Sequence, residues 1–339
     1  DSTRMETSPM QRLLMMGLFA AFSAQAGLGQ DGKEKKAEKP KPARVAHTNP
    51  AEAGPDFAIQ GEYEGTWGDL KAGAQVIAQG GGAFEVVVYP GGLPGAGWNG
   101  TDKVKLKGEA AKLAGDGHSL AVSGGELSGA NSKGAKVAMR KTERKSPTIG
   151  LKPPTGAAVL FDGSSADGWN NGKLDAEKTL QVGVMSKAKF GDFTLHIEFQ
   201  TPYMPNSRGQ GRGNSGVYLQ NRYELQVLDS FGLTGENNEC GGIYQIAKPK
   251  VNMCLPPLSW QTYDIDFVAA NFDSTGKKTA DALLTVRHNG VAIHDKLVLP
   301  KATPGGEGKE SPGPGPIQLQ NHGDPVRYRN IWIVEKEKK

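Results

Sequence analysis

The chain has 339 residues, 37% of them hydrophobic, with 47 glycines, 21 prolines and two cysteines. That length predicts about two domains, and glycine with proline at about 20% of the chain interrupts every window beyond residue 50 long enough for a helix, which excludes a helical bundle and points to a turn-rich all-β protein. The net charge of +4 sits outside the body, since residues 31–45 carry six bases against three acids and residues 335–339 three against two; the neutral remainder is a poor binder of phosphate backbones, so no nucleic-acid partner is expected.

In chain order, Arg12 precedes an apolar run over 13–22, and Ala24-Gln25-Ala26 follows as a cleavage signal. This predicts a signal peptide with an upstream extension over 1–26, too short to span a membrane, and hence export to the periplasm or beyond with no membrane span after cleavage. Residues 27–55 read as a charged, Lys/Pro-rich linker. Residues 56–144 read as a small β domain with no role to assign, with strand-like runs at 86–89 and 103–106 between glycine clusters. Its Trp67 and Trp98 have faces on which sugars stack, but core or rim packing is the expectation. Residues 145–154 form a second linker.

Residues 155–335 show period-2 alternation. Phe193, Leu195, Ile197 and Phe199 point one way, and Thr194, His196, Glu198 and Gln200 the other. Tyr223, Leu225 and Val227 alternate likewise with Glu224, Gln226 and Leu228. Further strands fit 216–220, 242–246, 261–268, 282–288, 291–299, 317–320 and 326–334, and Asn289-Gly290 marks a hairpin. Many antiparallel strands imply a two-sheet sandwich whose unusually polar outer face suits a carbohydrate. In an exported chain Cys240 and Cys254 are a candidate disulfide, the alternative being two separate thiols.

Several constellations carry chemistry. Residues 211–216 satisfy G-x-G-x-x-G, but they open a strand rather than a helix, so the dinucleotide reading fails and the glycines instead bend a loop beside a cleft. That loop presents Asn214, and Arg208 and Arg212 flank it as candidate ligands for sugar hydroxyls or a carboxylate. Glu224 and Gln226 share one strand face, and a β-bulge would return Asp229 to it; carboxylate, amide and carboxylate together suit proton transfer. Gln318, Gln320 and His322 alternate onto one face, with His322 a candidate acid or base. Arg327 and Arg329 follow on the next strand. Asp264 with Asp266, His196 with Glu198, and the pair His288 and His294 read as solvated polar groups.

The series Leu160-Phe161-Asp162-Gly163, Gly168-Trp169, Gly191-Asp192-Phe193, Gly213 to Val217, Tyr223 to Asp229, Gln320-Asn321-His322-Gly323 and Val326 to Ile331 resembles the 3-keto-disaccharide hydrolase family, the 3-keto-glucoside 1,2-lyase and 3-keto-2-hydroxyglucal hydratase group, over about 157–335. The resemblance implies a concanavalin A-like jelly-roll sandwich. It implies cleavage of 3-keto-glucosides by C2 proton abstraction and 1,2-elimination followed by hydration. Glu224, His322 and Asp229 would be the acid–base groups, and Gln226, Asn214, Arg208, Arg212, Tyr218, Gln320 and Arg329 would hold the substrate. No organic cofactor is expected, a divalent metal on the C3 oxygen fits the chemistry, and a separate sugar 3-oxidoreductase must supply the ketone. The Glu224-x-Gln226-x-x-Asp229 strand is also similar to the E-x-D-x-x-E strand of jelly-roll glucanases, from which Gln226 and Asp229 depart, against double-displacement chemistry. The competing readings are a lectin-like glycan-binding module, with Trp169, Trp260 and Tyr218 as contacts, and a glucanase-like hydrolase.

Overall fold

The computed structural model describes residues 44–337. The expected signal peptide, and the linker up to residue 43, lie outside the described residues. A short helix, α1 (Gly54–Ile59), leads into eight strands: β1 (Gly61–Trp67), β2 (Leu70–Gly80), β3 (Ala83–Pro90), β4 (Val104–Glu109), β5 (Lys112–Gly115), β6 (His118–Ser123), β7 (Glu126–Ala130) and β8 (Lys136–Thr142). Each pairs with its neighbour in sequence, and β1 pairs back onto β8, closing a barrel. Closure removes the free edges that an open sheet of short strands would expose. Alternating apolar side chains such as Tyr63, Val86, Leu106, Leu127 and Val137 fill its interior. Trp67 is part of this core, and Trp98 packs edge-on against Tyr89 at 5.1 Å; packing is the use of both.

The second unit contains β9 (Ala158–Phe161), β10 (Trp169–Asn170), β11 (Leu180–Gln181), β12 (Val184–Phe190), β13 (Phe193–Gln200), β14 (Ser215–Leu219), β15 (Tyr223–Val227), β16 (Gln261–Val268), β17 (Asn271–Phe272), β18 (Lys278–Ala280), β19 (Ala282–His288), β20 (Val291–Leu299), β21 (Gly315–Leu319) and β22 (Arg327–Glu335). A five-stranded sheet has the order β10-β12-β21-β14-β15. A seven-stranded sheet runs β11-β22-β13-β16-β19-β20, with β9 also on β22. The two pack face to face around one apolar core, to which β13 gives Leu195, Ile197 and Phe199 and β14 and β15 give Val217, Leu219, Leu225 and Val227. This is the all-β sandwich preceded by a small β domain that the alternation predicts. Asn289 and Gly290, both at positive φ, turn β19 into β20 as a type I′ hairpin requires.

Three expectations change. Residues 242–246 are not a strand but a turn held against β15 by one isolated bridge, Leu225 to Ile243, with Gln226 N donating to Gly242 O at 2.9 Å. Cys240 and Cys254 are free thiols, both buried in the sandwich core; Cys240 Sγ lies 3.2 Å from Tyr263 Oη, and Cys254 Sγ faces Leu228 O at 3.5 Å. Third, neither linker is loose where it is described. His47 exchanges two main-chain hydrogen bonds of 2.9 Å with Tyr203, and Arg44 pairs with Asp324.

Residues 145–154 lie as a strap across the outer face of the seven-stranded sheet and bury groups expected in solvent. Gly150 N donates to Glu198 Oε1 at 2.6 Å, Thr148 Oγ1 to Asp264 Oδ2 at 2.7 Å, and Trp332 Nε1 to Leu151 O at 3.1 Å. His196 is sealed beneath, its Nδ1 2.6 Å from Asp264 Oδ1 and its ring stacked on Trp332. Burial opposes the charge on Glu198, but hydrogen bonds from His196, Asn330, Gly150 and Arg329 outweigh it and hold the carboxyl at about 2. His288 and His294 are also buried, and burial pushes His288 down to about 3. Of the expected solvated groups Asp266 comes nearest, paired with Lys336 at the surface.

Glu198→Ala would leave the Gly150 N–H without its acceptor and take the carboxylate partner from buried His196 and from Arg329, while the Asn330 amide keeps Leu151 O. Breaking such a cluster costs about 3 kcal/mol, so chemical denaturation should show a loss of that order, with faster proteolysis of the 145–154 strap.

Candidate active site

The outer face of the five-stranded sheet is where the polar half of the alternation lands. The register aligns Gln318, Tyr218 and Glu224 across β21, β14 and β15. One rung along, Gly216 stands opposite Gln226, and Gln320 N donates to Gly216 O at 2.9 Å. The middle position of this second rung has no side chain. The Glu224 carboxyl leans into the space, where a Cβ on residue 216 would collide with it. The result is a cleft of about 190 Å³, the scale of one sugar ring rather than a chain of them, with Glu224 in its floor.

The walls come from other segments. Asn214 precedes β14, its amide Nδ2 donating to Gln210 O at 2.8 Å and its Oδ1 accepting from Gln226 Nε2 at 2.8 Å. Its main-chain N–H donates to Asp324 Oδ2 at 2.8 Å. His322, exposed, stands at the rim after β21. Gly305 packs against the Tyr218 ring at a positive φ, bringing the 303–308 loop over it, and Glu224 N donates to Thr303 Oγ1 at 2.9 Å. Tyr244 closes the side beyond β15.

Glu224 is the one acid among the residues lining the cleft. Burial pushes its carboxyl up to about 7, and hydrogen bonding from the Tyr218 hydroxyl offsets only part of that. That hydroxyl has a second acceptor, Pro304 O at 3.2 Å, and itself accepts from Gln320 Nε2 at 3.3 Å. Burial also raises the Tyr218 phenol, with the Glu224 charge adding to it. The buried Oε1 atoms of Gln318 and Gln320 have no hydrogen-bond partner. A carboxyl near neutrality beside open amide acceptors can take a proton from a bound polyol and orient its hydroxyls.

Six of the candidate residues therefore meet in one cleft: Asn214, Tyr218, Glu224, Gln226, Gln320 and His322. Four do not. Strand β15 ends at Val227, and no bulge returns Asp229; its Oδ2 instead accepts from buried Arg212 Nε at 2.6 Å. Arg212 is thereby spent on Asp229. Arg208 points away to the barrel, its Nη2 donating to Gln79 O at 2.7 Å. Arg329 is on the far sheet, bonded to Glu198 at 2.6 Å and stacked over Trp260 at 4.0 Å. Its neighbour Arg327 pairs with Glu177 at 2.9 Å. Gln210, Tyr244 and Gly305 were missed. Gln210 sits inside the glycine-rich loop that signals a bend beside a cleft, whereas Tyr244 and Gly305 come from irregular segments with no periodicity to read.

Residues 156–334 match the family described as the 3-keto-alpha-glucoside-1,2-lyase-like domain. The chain belongs to this family. A crystal structure of a "putative glycosyl hydrolase" from Parabacteroides distasonis ATCC 8503 is similar at 34% identity and a TM-score of 0.50, over 54% of this chain and 85% of that one. A second structure under the same description, from the same organism, has 22% identity and a TM-score of 0.37, over 53% and 99% of the two chains. No curated protein matches the chain. The lyase-like domain thus spans the sandwich and stops short of the barrel and the strap, and the chain is a carbohydrate-active, glycosyl hydrolase-like enzyme.

The raised carboxyl of Glu224 has a stability consequence. Between about pH 4.5 and 7 the folded chain binds this proton and the unfolded chain releases it, so stability falls as pH rises through that window. Above it the ionised group costs on the order of 3 kcal/mol. Glu224→Gln should therefore melt higher than the parent at pH 8, with the advantage gone by about pH 4.5, in thermal denaturation at the two pH values.

Proposed function

We propose that this enzyme cleaves 3-keto-glucosides by elimination and rehydration. The observation that carries the reading is the solitary, buried Glu224 carboxyl with its pKa pushed up to about 7. Direct glycoside hydrolysis uses two carboxyl groups, about 5–5.5 Å apart when retaining and 6.5–9.5 Å when inverting. This cleft offers one. One base suffices when the substrate brings its own activation. A ketone at C3 acidifies the C2 hydrogen, and a carboxylate that titrates near neutrality is matched to removing it.

Glu224 takes the C2 proton, and the electrons move through the enolate to form the C1–C2 double bond as the C1–O bond breaks. His322, at the rim, gives its proton to the departing oxygen. Water then adds at C1, giving its proton to His322, while Glu224 returns its proton to C2, so that both side chains are restored and the sum is hydrolysis to the 3-keto sugar and the free aglycone. The Tyr218 hydroxyl and the Gln226 amide hydrogen not used on Asn214 are the donors for the developing oxyanion. Gln320 Oε1 receives a sugar hydroxyl. A divalent cation would find one carboxylate and a few amide oxygens here. Ca²⁺ takes six to eight oxygen ligands and Mg²⁺ is held through one or two carboxylates that stay ionised, whereas burial disfavours the ionised form of this single carboxyl, and among the described residues no group of three or more His, Cys, Asp and Glu side chains assembles. The fit is poor, and no step is routed through a metal.

On the same reading the chain is exported, as its N-terminal sequence predicts, and acts after a sugar 3-oxidoreductase that supplies the ketone. Among the described residues no helix is long and apolar enough to cross a membrane.

Incubation with 3-keto-trehalose or 3-keto-cellobiose beside the unoxidised sugars tests this. Turnover of the keto sugars alone is expected, with kcat/KM rising on the acid side through an apparent pKa near 7 as Glu224 ionises and falling on the alkaline side where the acid group loses its proton. Glu224→Gln should lose at least about a hundredfold, and His322→Ala a comparable factor for poor leaving groups. Unchanged turnover in both variants overturns the assignment. Binding of unoxidised glycan without cleavage of either sugar would favour a lectin-like module, and cleavage of unoxidised β-glucan a glucanase.

A further inference from the structure

The barrel contributes no residue to the cleft, yet it grips the loop that does. Arg208 stands at the junction. Its Nη2 donates to Gln79 O at the end of β2, and its Nη1 to Pro205 O and Ser207 O at 2.5 and 2.7 Å. One planar guanidinium thus ties the barrel to the chain just ahead of residues 209–216. The footing beneath is buried and packed. Phe231 of the sandwich packs with Ile77, Val87 and Tyr89 of the barrel, and the buried Arg212–Asp229 pair is doubled by Asp229 N donating to Arg212 O at 3.1 Å. From that footing the chain makes one short turn, over Gly209–Gly211, and delivers Gln210 and Asn214 to the cleft wall, where Asn214 holds Gln226.

Held by nothing but its own glycines, this loop would sample many backbone states, and ordering it on binding would cost affinity. We propose that Arg208 is a positioning residue through which the N-terminal barrel fixes Gln210 and Asn214 at the wall of the cleft. The barrel is then a buttress of the site rather than a separate binding module. This rests on the cleft being the site of 3-keto-glucoside turnover.

A double-mutant cycle in the full-length chain tests it. Arg208→Ala should lower kcat/KM for a 3-keto-disaccharide by about tenfold, mostly through KM, as small misplacements of positioning groups do. Arg208→Lys keeps one donor for Gln79 and should recover part of the loss. Asn214→Ala should also lower kcat/KM, and Arg208→Ala added to it should cost little more, because the first change acts through the second residue. Arg208→Ala within twofold of the parent overturns the proposal, and so do losses that simply multiply in the double variant. If Arg208→Ala does not fold, Arg208→Gln carries the same cycle with the same two outcomes. Absence of turnover by the parent enzyme overturns the underlying reading, and the proposal with it.

Discussion

The site depends on one steric relation. Glu224 occupies space that any side chain at residue 216 would fill. Because Gly216 sits in β14, between Gln320 on one side and Gln226 on the other, the missing side chain digs a hollow into an otherwise continuous polar face. The carboxyl then turns inward over the backbone instead of outward into water. Its raised pKa follows from that displacement, since desolvation disfavours the ionised form and no counter-charge is set beside it. A cation there would hold the carboxylate ionised and weaken it as a base.

The cationic groups of the neighbourhood are committed elsewhere. Arg212 is bonded to Asp229, Arg208 to main-chain oxygens, Arg44 to Asp324, and Arg329 to Glu198. They serve the frame around the cleft. The cleft itself is lined by amides, hydroxyls and imidazole, groups that orient an uncharged sugar without binding anions strongly.

Much of this was legible in the sequence, and the reason is periodicity. Strand β15 alternates cleanly, and so does β21 with the residue that follows it, so the face shared by Glu224 and Gln226, and the face shared by Gln320 and Gln318, follow from spacing alone. What spacing does not encode is where a strand stops. Asp229 was expected back on the catalytic face by a bulge, but β15 ends two residues before it, and a buried arginine captures it. The family resemblance gives Arg329, on the strand after Gln320 and His322, a place on the substrate, yet the chain crosses to the other sheet in between. His196 and Glu198 alternate outward as expected, but outward proved not to mean solvated. A ten-residue stretch without any periodic signal lies on top of them, and only the folded chain shows it.

That stretch, residues 145–154, alters what counts as a module here. The family match begins at residue 156, and the glycine- and proline-bearing join just before it looks like the natural seam. The strap nevertheless supplies main-chain partners to Glu198, Trp332 and Asn330 of the sandwich. The smallest portable piece is therefore larger than the homologous one. A transfer of this sandwich into another chain, by recombination or by hand, would have to carry the strap along or replace it with another cover for the same sheet.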